Sequence, residues 1–131
     1  MSSSEHQRGF PPRASSPAAA RRWVVGALGL RGAAAEDVAI IVSELVTNAY
    51  LHAGLATDES IVVRAGWLPD RETVRVRVCD PGGRFAQPSA TPHRKHGGRG
   101  LGIVSALSET WGVDLDGQTT TWFVYRPEES S

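Results

Sequence analysis

The chain has 131 residues, 40% of them hydrophobic, with 14 lysines and arginines balanced by 14 aspartates and glutamates. That length and apolar content suit one domain around a single core, and the balanced charge excludes the bulk basic field of a protein whose main partner is nucleic acid. A lone cysteine, Cys79, excludes an internal disulfide framework and suits a reducing, cytoplasmic setting; no apolar run reaches the roughly 18 residues that span a bilayer, and no signal-peptide pattern opens the sequence.

Residues 1–16, rich in Ser, Pro and Arg, read as a disordered tail to which no function is assigned, with the turn-prone Phe10-Pro11-Pro12 a candidate to lie on the domain. Ser16 followed by Pro17 marks a helix start, and Ala20, Val24, Ala27 and Leu28 then recur at helical spacing until Gly29 or Gly32. A second, longer helix is expected from about Ala34, with Glu36 and Asp37 in its first turn, to Gly54. The period then changes to two, which predicts strands at 61–67 and 73–80 joined through Leu68-Pro69-Asp70-Arg71 as a hairpin. Residues 84–96 are polar and aperiodic, a loop; His93 and His96 within it lack the Cys or carboxylate partners of a zinc site. Gly97 to Gly102 then open a helical run from Ile103 to Leu107. Strands at 111–115 and 119–125, around a turn at Asp116-Gly117, complete a domain over 17–126, and 127–131 form a flexible end.

Two stretches carry chemistry. On the second helix, steps of four residues advance the side chain by roughly 40°, so Glu44, Asn48 and His52 form a polar strip beside an apolar stripe of Val38, Ile41, Val42, Leu45 and Ala49, with Ile40 and Leu51 on its other flank. Such a strip suits the wall of a cleft that meets something polar or charged. In the strand at 73–80, Val74, Val76 and Val78 share a face while Arg75 and Arg77 take the other, so the alternation aims Asp80 inward. A buried carboxylate needs donors, from a turn, a basic side chain or a ligand amine. Each feature alone is as compatible with an ordinary polar seam or turn as with a site.

Their order is more specific. Glu44-Leu45-Val46-Thr47-Asn48-Ala49, Asp80-Pro81-Gly82-Gly83, Gly98-Arg99-Gly100-Leu101-Gly102 and the Thr120-Thr121-Trp122 strand together resemble the GHKL, or Bergerat-fold, ATP-binding domain, and within it the small anti-sigma-factor serine kinases of the SpoIIAB and RsbW type. The resemblance implies an α/β (α+β) two-layer sandwich, one mixed or antiparallel sheet of about four strands with helices on one face. It implies ATP and Mg²⁺ as cofactors. Asn48 is the Mg²⁺ ligand, Asp80 and Gly82 recognise adenine, and Gly98, Arg99, Gly100, Leu101 and Gly102 hold phosphates. Thr120 lies near the adenine, Glu44 acts as general base, and Thr47 and His52 are its neighbours at the nucleotide. The implied activity is an ATP-dependent protein-serine kinase acting on an anti-sigma-factor antagonist. The implied partners are that antagonist or a sigma factor, without nucleic acid or membrane, and relatives of this type often form a homodimer. The family pattern has a glycine where this chain has Arg84, which keeps open an alternative: a non-catalytic module that docks a partner protein and binds nucleotide weakly or not at all.

Overall fold

Gly29 and Gly32 both adopt positive φ, 67° and 58°, and they separate the first two helices of the chain. The left-handed Gly29 closes the first helix, its backbone N–H donating to the carbonyl of Gly26 at 3.2 Å. The structure, a computed structural model, describes residues 5–52, 59–81, 101–115 and 117–128; of the side chains of His52 and Leu101 nothing is said. Its elements in chain order are β1 (His6–Phe10), α1 (Ser16–Leu28), α2 (Gly32–His52), β2 (Ile61–Trp67), β3 (Val74–Asp80), α3 (Leu101–Leu107), β4 (Thr110–Leu115) and β5 (Thr119–Tyr125). Of the described helices, none is long and apolar enough to cross a membrane.

The strands form one five-stranded sheet in the order β1-β2-β3-β5-β4, and every pairing is antiparallel. The two-layer α+β sandwich and an antiparallel sheet are therefore as expected, and the sheet has five described strands in place of about four. The additional strand comes from His6–Phe10, inside the stretch read as a disordered tail. Its composition hides the reason: only Phe10 is buried, at 3% exposure. That one ring meets Trp23 of α1 edge-on, centroids 6.1 Å apart, and lies 5.3 Å beneath the guanidinium of Arg8. Pairing with β2 satisfies the rest of the strand, and Glu5 forms an ion pair with Arg77 at 2.6 Å.

Period-two alternation sorts the sheet into two faces. Val63, Ala65, Val74, Val76, Val78, Phe123 and Tyr125 point to the helices and are buried with Ala20, Val24 and Leu28 of α1 and Val38, Ile41, Val42, Leu45, Val46 and Ala49 of α2. The apolar stripe read on α2 is thus the core stripe. Ile40 and Leu51, on the far flank of the polar strip, are 42% and 59% exposed, so the strip runs along the boundary between core and solvent.

Helix α2 begins at Gly32, about half a turn before the position expected, so Glu36 and Asp37 fall beyond its first turn. Asp37 has a different role: its Oδ2 accepts a hydrogen bond from the Tyr125 hydroxyl at 2.7 Å. Burial, and then that bond to a carboxylate, push the Tyr125 phenol up to about 12. The β2–β3 connection is built on Asp70, whose Oδ1 accepts from the backbone N–H groups of Glu72 and Thr73 at 2.8 and 3.0 Å and whose Oδ2 accepts from the Thr73 hydroxyl at 2.9 Å. The bonds to Glu72 and Thr73 favour the ionised form and hold this carboxyl below its ordinary value.

Candidate functional site

The tie between Tyr125 and Asp37 sets the position of α2 on the sheet. Tyr125 pairs with Val74 at the start of β3, so Asp37 lies over that end, and α2 packs along β3 and β2 from there. Asn48 is eleven residues further on, roughly 16 Å along a helix, and Asp80 is six residues beyond Val74, roughly 20 Å along a strand. A helix running along β3 from that end carries Asn48 toward the end of the sandwich where Asp80 stands. Asp80 is 6% exposed, on the helix-facing side of the sheet. Glu44, Thr47 and Asn48 are half-buried on α2.

This gathering follows from local sequence. Val38, Ile41, Val42, Leu45 and Ala49 press α2 onto the sheet, and residues 44 and 48 lie beside that stripe. Val74, Val76 and Val78 anchor β3 face-inward, and the next residue in phase is Asp80. Asp80 ends the buried valine row of β3 on the helix-facing side, and Glu44 and Asn48 are half-buried on α2, so polar acceptors and apolar side chains share this layer of the sandwich. Such a mixture suits a ligand with an exocyclic amine and a flat apolar body.

The remaining expected residues divide into three groups. Leu101 and Gly102 form the first two positions of α3, and α3 packs against α2, so this helix start is on the α2 side of the sheet. His52 is the last residue of α2. Gly82, Gly98, Arg99 and Gly100 lie outside the described residues.

Thr120 is not brought to this layer. It pairs with Cys79, Thr119 pairs with Asp80, and Thr121 pairs with Val78, so Thr120 projects from the opposite face of the sheet, where its hydroxyl donates to Cys79 Sγ at 3.4 Å. The threonines that share a face with Asp80 are Thr119 and Thr121. The motif reading counted back two from Trp122; counting from Phe123, which is fully buried, gives the opposite phase. A run of three threonines followed by two aromatics leaves the phase ambiguous, and the register with β3, together with the burial of Phe123, resolves it. The Asp37–Tyr125 bond was also missed, because no spacing links two residues 88 positions apart.

Comparison with known proteins agrees with this architecture. The family model described as the histidine kinase-like ATPase domain matches residues 10–125. No match was found among curated proteins. Among solved structures, the crystal structure of the RsbU and RsbW domains of Rv1364c from Mycobacterium tuberculosis aligns with a TM-score of 0.69 at 23% identity, covering 93% of this chain and 31% of that one. The chain thus spans about a third of that protein's length, and at this identity the likeness is one of fold. With the family model matched across nearly all of the sandwich, the chain belongs to the histidine kinase-like ATPase (GHKL) family.

Proposed function

We propose that the protein binds Mg·ATP at the Asp80 end of the sandwich and acts as an anti-sigma-factor-type regulator that phosphorylates a serine on an antagonist protein. The observation that supports it most is the buried Asp80, aimed between sheet and helices at the end where α2 presents Glu44 and Asn48. The similarity to a structure that contains an RsbW domain points in the same direction.

The donor set fits the group. Asp80 accepts a hydrogen bond from the adenine amine, and Thr121 takes the place beside it that sequence reasoning gave to Thr120. Gly82 would suit a close approach of the base to the backbone, and the amides of Gly98, Gly100, Leu101 and Gly102, with Arg99, would hold the phosphates. Asn48 offers a neutral oxygen, which a hard cation such as Mg²⁺ accepts alongside phosphate oxygens and water. ATP, when bound, supplies a γ-phosphoryl group. Glu44, one helical turn from Asn48, orients the acceptor serine hydroxyl and receives its proton. Thr47 and His52 flank this pair on α2.

Transfer of label from γ-labelled ATP to an antagonist protein tests the kinase assignment. Transfer by the wild type, lost on Glu44→Ala while nucleotide binding persists, is the expected result. Binding without transfer to any antagonist would leave a docking module in place of an enzyme.

A further inference from the structure

The face of the sheet turned away from the helices forms an ordered lattice that the nucleotide reading does not use. Its central row runs Gln7, Arg64, Arg77, Trp122 and Gly112 across all five strands, with Val62, Cys79, Thr120 and Asp114 in the row on one side and Gly66, Arg75, Val124 and Thr110 in the row on the other. The buried apolar residues of α1 and α2 all pack with the opposite face, so no described helix covers this one. Trp122 lies flat on β4: a Cβ placed at Gly112 would sit 2.7 Å from its Cζ2. Trp122, Val62 and Val124 remain only half-buried, giving the face an apolar centre.

The charge of that centre is net positive. Strands β2 and β3 contribute Arg64, Arg75 and Arg77, and the carboxylates on this face, Glu5 and Asp114, stand beside the outer strands β1 and β4. Glu5 neutralises Arg77. The Arg64 guanidinium donates through Nε to the neutral amide oxygen of Gln7 at 2.9 Å, so it keeps its full charge, and Arg75 is exposed. Among the described residues no carboxylate pairs with Arg64 or Arg75, and two such arginines beside a tryptophan platform match a surface that carries carboxylates around an apolar side chain, since charge-assisted Arg–carboxylate pairs and aromatic anchors are what protein interfaces favour. A second copy of this chain set face to face would bring like charges together, which disfavours it.

We infer that this open sheet face docks an acidic segment of a partner protein, with carboxylates on Arg64 and Arg75 and an apolar side chain over Trp122. The inference does not depend on nucleotide binding. Because Cys79 and Asp80 are neighbours on β3, a partner here would sit directly behind the strand that carries the buried carboxylate.

The test uses the full chain and two labelled synthetic helical peptides, one with glutamates flanking a leucine stripe and a twin with lysines in their place, followed by fluorescence anisotropy. The glutamate peptide should bind at least tenfold more tightly than its twin, and Arg75→Glu, at an exposed position, should weaken it by roughly tenfold while the melting temperature stays unchanged. Arg64→Glu should act in the same direction, and Mg·ATP affinity should be unaffected by either. Equal binding of the two peptides, no binding of either, or insensitivity to Arg75→Glu would overturn the inference. So would displacement of the peptide by a single-stranded oligonucleotide, or a dimer in sedimentation that Arg75→Glu changes.

Discussion

The pairing register of β5 leads to a discriminating prediction. Thr120 and Thr121 are adjacent, yet their side chains leave opposite faces of the sheet, Thr121 opposite Val78 on the helix side and Thr120 opposite Cys79 on the outer side. Valine preserves the shape of threonine and removes the hydroxyl. If Thr121 contacts the nucleotide as proposed, Thr121→Val removes one hydrogen bond to it, worth about 0.5–1.5 kcal/mol, which is about two- to tenfold in Kd. Thr120→Val loses only a 3.4 Å contact to a sulfur, a poor acceptor, on the face away from the helices. Its nucleotide Kd should stay within about twofold of wild type, inside the weak end of that hydrogen-bond range. Calorimetric titration of Mg·ADP into both variants and the wild type separates the two. A Thr120→Val protein that binds as weakly as Thr121→Val, or weaker, would refute the assignment of faces to function.

Two further predictions concern stability. Phe10→Ala should lower unfolding free energy in urea by about 3–5 kcal/mol, the range for emptying a buried phenylalanine site, because that ring is the single buried anchor of β1; a loss under about 1 kcal/mol, far below that range, would mean that β1 does not belong to the folded domain. Tyr125 is raised from 10.0 to about 12 by burial and by its bond to Asp37. A raised folded-state value means that this contribution is complete below pH 10 and declines as pH climbs from 10 through 12, since the unfolded chain releases the proton first. Tyr125→Phe should lower stability at neutral pH by about 1 kcal/mol for the lost hydrogen bond and flatten the alkaline decline, both measurable by urea unfolding across pH.

Much of the candidate site could be read from the chain because two periodicities carried it. The valine row of β3 aims Asp80 inward whatever the surroundings, and the spacing of Val38, Ile41, Val42, Leu45 and Ala49 decides which side of α2 meets the sheet and so where Glu44 and Asn48 stand. What failed was information that local pattern does not hold. Strand β1 has one buried residue in five, so no alternation marks it; its stability comes from backbone pairing with β2, from Trp23 and from Arg77, partners 13 to more than 50 positions away. Thr119, Thr120 and Thr121 are indistinguishable by composition, and their facing depends on register with β3. Sheet direction stayed open between antiparallel and mixed, because the two arrangements share the same alternation and differ only in how the strands connect in space.

The central claim is that the Asp80 end of the sandwich holds Mg·ATP, and one measurement addresses it directly: calorimetric titration of Mg·ATP into the full chain, beside the Asp80→Asn variant. Asparagine keeps the shape of the side chain but exchanges a charged acceptor for a neutral one, so a hydrogen bond to the adenine amine falls from about 1.5–3 to about 0.5–1.5 kcal/mol, a loss of about 1–1.5 kcal/mol or about five- to tenfold in Kd. Saturable binding by the wild type and a loss of that size in Asp80→Asn is the predicted result. Absence of heat at millimolar nucleotide, or equal affinity in the two proteins, would contradict it.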